Sequence, residues 1–234
     1  AYKSNYGDNY KDSLNQALTS AGYKNLSEYR QKMIKQIQYA NFLLDYIDDH
    51  FDDVFNDYYQ QCAPKYVSLI KISVSDTSSP TDDETSKLNE VKELISNTDK
   101  SFGDIAQDYS NDSTSSKKGS LGIVDSKDTS GIANSYGKDV FNAIEALSEG
   151  QVSDAIAGTD GYYFVKVTST NKKDLKKELK KTDIDSPLLA YDDYLQYVVY
   201  NSYKINYKDK DIKKIVQEVV NKALEERKTE RGEA

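Results

Sequence analysis

The sequence predicts an α+β fold in which a small sheet with its helices sits between two helical flanks. Three observations predict it. From Lys65 to Thr168 the apolar spacing runs strand, helix, helix, strand, helix, strand, strand. The segments on either side carry helical periodicity, and at Asn171 the composition shifts abruptly to K-K-D-L-K-K-E-L-K-K, which reads as a solvated amphipathic or linker segment rather than a core. Neither flank has enough apolar surface for a core of its own, so residues 1–63 and 171–234 are expected to fold together as one helical unit, with residues 64–170 inserted between them.

In chain order, Leu14, Ala17, Leu18 and Ala21 mark a short helix stopped by Gly22. Ser27 is expected to cap a long helix striped by Met33, Ile37, Ala40, Leu44 and Ile47. Asp52 to Cys62 gives a third helix, ended by Ala63-Pro64. Lys65 to Val74 alternates as a half-buried strand with Tyr66, Ser68, Ile70, Ile72 and Val74 on one side. Leu88, Val91, Leu94 and Ile95 mark a helix on that strand, and Phe102, Ile105, Ala106 and Tyr109 a shorter one. Ser110 to Lys118 is wholly polar and reads as a loop, and Gly119-Ser-Leu-Gly122 leads into a short strand. Asp125 to Gly137 reads as a Ser/Asp/Gly loop, Asp139 to Leu147 as a helix, Val152 to Ile156 as a brief strand and Tyr162 to Thr168 as an alternating one. Beyond the charged run, Leu188, Tyr191, Leu195 and Val198 restore a helical period. Lys204 to Tyr207 is a short extended piece, and Ile212, Ile215, Val216, Val219 and Val220 stripe a last helix.

Composition narrows the function. The 234 residues carry a net charge of -8 and a pI near 4.9, which argues against an electrostatic grip on nucleic acid or anionic lipid and suits cationic or unfolded clients. Aromatic content is 20 Tyr and 6 Phe with no Trp. Amphipathic rings of this kind either replace Phe and Leu in a half-wet core or form a surface that touches varied polypeptide. A lone Cys62 excludes an intrachain disulfide and a Cys-rich metal site, and reads as a small buried hydrophobe. The glycines have no phosphate-loop spacing, and the acidic run Asp45, Asp48, Asp49, Asp52, Asp53 lacks the alternation and central Gly of a calcium loop, so neither cofactor nor metal is expected. No apolar run is long enough to span a bilayer, and the sequence starts at Ala1 without a basic n-region or an apolar h-region, so the expectation is a cytosolic chain or one whose targeting segment has been removed.

Three ordered blocks carry a resemblance. They are F-G-D-I-A-Q-D-Y-S-N-D-S-T-S-S-K-K-G-S-L-G from Phe102 to Gly122; Gly150, Val152, Ser153 and Ile156; and the G-Y-x-x-x-K-V of Gly161 to Val167. Together they resemble the parvulin-type peptidyl-prolyl isomerase domain over Lys65 to Ser169. The resemblance implies a four-stranded antiparallel sheet with helices. In the flanks, A-G-Y-K-N-L-S-E-Y-R-Q-K-M from Ala21 and K-I-N-Y-K-D-K-D-I from Lys204 are similar to the ends of PrsA-type extracytoplasmic foldases and their SurA-like relatives. In that family the two ends build a helical chaperone module around the isomerase. The likeness implies secretion, with a lipid anchor upstream of Ala1. It also implies unfolded or partly folded secreted polypeptides and their X-Pro segments as partners, and it is compatible with a homodimer through the helical module.

Turning an X-Pro amide requires no covalent step, only a lowered rotational barrier of about 18 to 20 kcal/mol. An apolar clamp for the ring, a polar group beside the carbonyl and a rigid network behind them suffice. By the resemblance Asp112 is the polar group, Leu121 a pocket wall, and Phe141 with Tyr136 the proline-facing surface. On the residues alone Asp112 reads as a solvated loop acid capping a turn. The family's two histidines are replaced here by Leu69 and Tyr163, which would line the site from the strands. Leu69 cannot relay a hydrogen bond and Tyr163 offers one hydroxyl. The sole histidine, His50, belongs to a flanking helix end. Two readings result: a secreted proline isomerase working through Asp112, and a catalytically weak or inactive chaperone that only holds extended chain. A structural surface protein using the fold for contact is a distant third.

Overall fold

The structure is a computed structural model and describes residues 2–97, 99–158, 160–180 and 186–230. It divides into two compact units, Ala1–His50 and Phe51–Ala234. In the first, α1 (Tyr2–Tyr6), α2 (Tyr10–Ser20) and α3 (Leu26–Asp49) follow one another. The cap of α3 is Asn25, not Ser27: its side chain accepts from the Glu28 N–H at 2.9 Å, while Glu28 accepts from the Lys24 N–H at 2.7 Å. The reciprocal pair satisfies two N–H groups that one serine would leave partly unmet. Along α3, Leu43 and Ile47 are buried, but Ile34, Ile37 and Phe42 are exposed. His50 closes the helix as an exposed C-cap.

The second unit begins with α4 (Phe51–Cys62) and enters β1 (Lys65–Ser73), followed by α5 (Asp82–Asn97), α6 (Phe102–Tyr109), a 3-10 turn (Ser113–Lys117) and β2 (Ser120–Val124). Next come α7 (Ile132–Tyr136), α8 (Lys138–Ala146), β3 (Ile156–Ala157) and β4 (Gly161–Ser169). The sheet is antiparallel in the order β2-β1-β4-β3. The α+β fold and the four-stranded antiparallel sheet read from the sequence are therefore present.

β1 is not half-buried, as its alternation suggested. Val67 and Leu69 on one face and Ile70 and Ile72 on the other are all fully buried, because helices cover both sides. α7 and α8 pack on the first face through Ile132, Val140 and Ile144. α5 and α6 pack on the second through Leu88, Val91, Phe102 and Ile105. A strand in mid-sheet with both faces covered reads as a near-continuous apolar run, and Tyr66-Val-Ser-Leu-Ile-Lys-Ile is close to one. Within the stretch read as loop, Asp128 accepts from the N–H groups of Ile132 at 2.6 Å and Ala133 at 3.0 Å and so starts α7. The strand expected from Val152 reduces to a single bridge, Val152 with Lys166, before the two-residue β3.

After β4 the chain forms α9 (Lys172–Leu179), α10 (Pro187–Ala190), α11 (Asp193–Ser202) and α12 (Lys210–Glu230). The lysine-rich run is a docked helix rather than a linker. Leu175 and Leu179, four residues apart, are buried while the lysines face water. The periodicity from Leu188 to Val198 is broken into α10 and α11 at Tyr191, whose buried hydroxyl donates to Asp57 of α4 at 2.6 Å. The same carboxylate takes the Arg227 guanidinium of α12. Residues 204–207 form neither helix nor strand.

Candidate active site

β1 and β4 form the middle of the sheet, and one face of them is the floor of the site. Leu69 and Tyr163 lie on it with Val67 and Val165, beneath α7 and α8. Leu121 of β2, Tyr136 at the end of α7, Phe141 of α8 and Ile156 of β3 pack against this cluster and remain half-buried. Five sequence-predicted residues thus share one apolar surface, with Leu69 sealed inside it and the Tyr163 ring nearly so.

The loop bearing Asp112 is fixed to the outer half of β1. β2 pairs with β1 only as far as Ser68, and beyond it the polar loop takes over the exposed edge. The Asn111 N–H donates to the Lys71 carbonyl at 2.8 Å, the Ser73 N–H to Asn111 Oδ1 at 3.0 Å, and the Lys71 N–H to Ser110 Oγ at 3.0 Å. The Leu69 N–H donates to the Gly119 carbonyl at 2.8 Å. Gly119 has φ +74°, and a Cβ there would press into the Leu69 carbonyl and the Ala106 methyl, so the close approach of loop and strand requires glycine. Ser101 caps the preceding α6 by accepting from the Asp104 N–H at 3.1 Å.

Asp112 is half-buried, and its Oδ1 accepts from the Thr114 N–H at 2.9 Å and the Thr114 hydroxyl at 2.6 Å. It therefore caps the 3-10 turn, and the same carboxylate stands beside Tyr136. Burial first, then the Asp112 charge and a hydrogen bond to it, raise the Tyr136 hydroxyl above the usual tyrosine range. The Tyr136 and Tyr163 rings meet edge-on, with centroids 5.9 Å apart and planes at 80°. The Tyr163 hydroxyl points elsewhere and donates to Asp160. Burial, then this bond, then the charges of Asp160 and Asp112 push its pKa up strongly.

At the positions of the family histidines the structure has no relay. Leu69 lies opposite Val165, and Tyr163 lies opposite Lys71, two residue pairs along and so on the same face. Lys71 forms an ion pair with Asp160 and stands 5.9 Å from the Tyr163 ring centroid. Sequence reasoning missed Lys71 and Asp160. The period of two, which puts Lys71 on the face of Leu69, was a signal for the first; Asp160 lies in a turn and left none.

Asp125 and Lys65 hold the opposite end. Asp125 is fully buried and accepts from Tyr58 of α4 at 2.7 Å, from the Lys127 and Thr129 N–H groups at 3.0 and 3.2 Å, and from the Thr129 hydroxyl. The Lys65 ammonium donates to the carbonyls of Ile144, Glu145 and Leu147 at 2.7 to 3.0 Å and so completes the C-terminus of α8. Cys62 is buried in α4, and burial pushes its thiol up to about 12. Away from this site, α11 and α12 line a groove of about 480 Å³ whose walls include Tyr197, Tyr200, Val216, Val219, Val220 and Leu224.

A four-stranded antiparallel sheet, with an acid-bearing loop stitched to the edge of β1 and an apolar wall from β2, α7 and α8, defines a parvulin-type domain. Residues 69–169 match the rotamase family of PPIC-type PPIase domains. The chain is 30% identical over 141 residues to the foldase protein PrsA of Staphylococcus aureus (strain MRSA252), a match that covers 57% of this chain and 41% of that protein. The PrsA of strain Newman is 29% identical over the same length. The match thus spans about two fifths of the length of these curated relatives. Among solved structures, PrsA from Bacillus subtilis aligns over 90% of this chain and 75% of its own, with 22% identity and a TM-score of 0.41. That from Streptococcus pneumoniae aligns over 92% and 77%, with 23% identity and a TM-score of 0.37.

Proposed function

We propose that this chain is an extracytoplasmic foldase whose PPIC-type domain catalyses cis-trans isomerisation of X-Pro bonds in unfolded or partly folded secreted polypeptides. The observation that carries the reading is the meeting of Asp112 and Tyr136 at the edge of the wall made by Leu121 and Phe141. The proline ring rests on Tyr136, Phe141 and Leu121, with Leu69 and Tyr163 as the buried backing. Contact with this surface strips water from the planar, charge-separated amide, and Asp112 supplies a polar environment that favours the twisted form. Asp112, already held by Thr114, is preorganised for that task.

Residues 1–63 and 171–234 form the helical chaperone module in this reading, and residues 64–170 are the inserted isomerase. Support comes from α4, which is joined to both later segments through Asp57 with Tyr191 and Arg227 and through Asp52 with Lys176. A lipidated segment upstream would anchor the protein to the outer face of the membrane, and the module would carry any homodimer contact.

The test is NMR exchange spectroscopy on an Ala-Ala-Pro-Phe peptide with the wild-type chain and Asp112→Ala. Acceleration by the wild type and its loss in the variant are expected. No acceleration by the wild type sinks the enzymatic reading, and equal acceleration by both removes Asp112 from it.

The groove lined by α11 and α12 favours a second reading, that the chain also or only holds extended polypeptide. Failure to suppress aggregation of an unfolded client at equimolar concentration would remove it.

A further inference from the structure

The ring of Tyr163 is held from outside the sheet by groups that no family motif includes. Its hydroxyl donates to Asp160 in the turn before β4, and the other oxygen of Asp160 takes the Lys71 ammonium from β1, the residue directly opposite Tyr163. The underside of the ring lies on backbone. A Cβ at Gly158 would overlap the Tyr163 ring edge, with Cδ2 at 3.0 Å and Cε2 closer still. Gly158 is itself fixed, its N–H donating to the Gly161 carbonyl at 2.9 Å and its carbonyl accepting from the Thr77 hydroxyl at 3.1 Å. Asp160 is 59% exposed, whereas Lys71 is 17% exposed. The lysine side chain is thus largely covered, with its ammonium held by Asp160.

We propose that Lys71, Asp160 and Gly158 form a clasp that fixes the Tyr163 ring, and through its edge-on contact the Tyr136 ring, as the rigid back wall of the proline site. Asp160 is then a positioning residue for the reaction. The inference rests on the isomerase reading above. It answers the difficulty left by the absent histidines: rigidity behind the site comes from a charge-tied tyrosine rather than an imidazole pair. The Tyr163 proton is committed to Asp160 and turned away from Asp112, so the clasp shapes the wall and exchanges no proton with the substrate. Lys71 first and Tyr163 second hold the Asp160 carboxyl below its usual range, so the clasp is charged at neutral pH. A wall residue held this way contributes to ground-state and transition-state binding alike, so its loss falls on KM.

The experiment measures KM and kcat for Ala-Ala-Pro-Phe in Asp160→Ala, Asp160→Asn, Gly158→Ala and Tyr163→Phe, with Tm alongside. Asp160→Ala, Gly158→Ala and Tyr163→Phe should each raise KM about fivefold and leave kcat within about twofold. Asp160→Asn keeps an acceptor for the hydroxyl and should recover most of the loss. The double variant Asp160→Ala, Tyr163→Phe should be no worse than either single one, because both cut the same bond. An unchanged KM in Asp160→Ala overturns the proposal, and so does an additive double variant. Should the wild type not accelerate exchange, the isomerase reading falls alone. The clasp is then judged by the peptide Kd and by the nuclear Overhauser contact between the two rings. Weakening of both in Asp160→Ala supports it, and persistence of either refutes it.

Discussion

Tyr58 in α4 donates its hydroxyl to Asp125 Oδ2 at 2.7 Å across 67 positions of sequence, and both side chains are fully buried. A buried carboxylate is tolerable only with its lone pairs filled, and here Tyr58, Lys127 and Thr129 fill them. Tyr58→Phe keeps the ring and removes one donor to a charge, so it should cost about 1.5 to 3 kcal/mol, read as a lowered denaturant midpoint with unchanged slope. Asp125→Ala orphans several donors at once and should cost more than Tyr58→Phe. An Asp125→Ala protein as stable as the wild type would show that the carboxylate is not what ties α4 to the sheet.

Gly119 is the second test. Alanine there is forced into the left-handed region and against the Leu69 carbonyl, and should cost about 3 kcal/mol. Gly131 also has positive φ, +70°, but nothing lies within 4 Å of its added Cβ. Gly131→Ala should therefore cost only about 1 kcal/mol. Equal thermal shifts for the two would mean that the strand contact at Gly119 adds nothing to the backbone penalty.

Alkaline pH should unfold the protein early. Burial first, then hydrogen-bonded carboxylates, raise the hydroxyls of Tyr58, Tyr163 and Tyr191 far above the ordinary tyrosine value. In the unfolded chain these groups ionise near pH 10 while in the folded one they keep their protons. The unfolded state then binds fewer protons, so stability is complete below about pH 10 and falls as pH rises through the folded values. Titrating stability from pH 8 to 12 checks this, and replacing all three by Phe should flatten the slope. A slope unchanged in the triple variant would assign the alkaline loss to other groups.

The lysine-rich segment makes a sharp contrast. Leu175→Ala empties a fully buried site in α9 and should cost about 2 to 5 kcal/mol, whereas Lys177→Ala on the wet face should stay within about 0.5 kcal/mol. Thermal unfolding of the two variants decides whether α9 is structural or a spacer.

What the sequence made readable follows the range of the forces involved. Helix and strand order, with Gly119 just before β2 and Gly122 within it, come from local periodicity and turn chemistry, whereas the grouping of Leu69, Leu121, Tyr136, Phe141 and Tyr163 was implied by the family resemblance alone. The cap of α3 was misplaced because Ser27 and Asn25 are both good caps and only the reciprocal bond with Glu28 separates them. The charged run left an amphipathic segment and a linker both open, because two leucines among lysines give little average hydropathy, though docking α9 needs only those two. The break at Tyr191 and the Lys71-Asp160-Tyr163 clasp depend on partners far away in sequence, which periodicity does not register. Asp112 caps the 3-10 turn through Thr114, as its residue type in a polar loop suggested, and its carboxylate also raises the Tyr136 hydroxyl, a long-range pairing that loop composition does not register.

The first residue of β1 paired with β4, Tyr66, lies beside the last residue of β4, Ser169. The polypeptide therefore goes into this domain and comes out again through two doorposts only about 5 Å apart. In the insertion reading, everything between is, to the helices on either side, a hairpin tip grown very large. Two adjoining tethers alone would act as a single pivot; the bond from Tyr58 to Asp125, with the Ser126 N–H donated to the Cys62 carbonyl at 2.8 Å, bolts α4 to the end of β2 and removes that freedom.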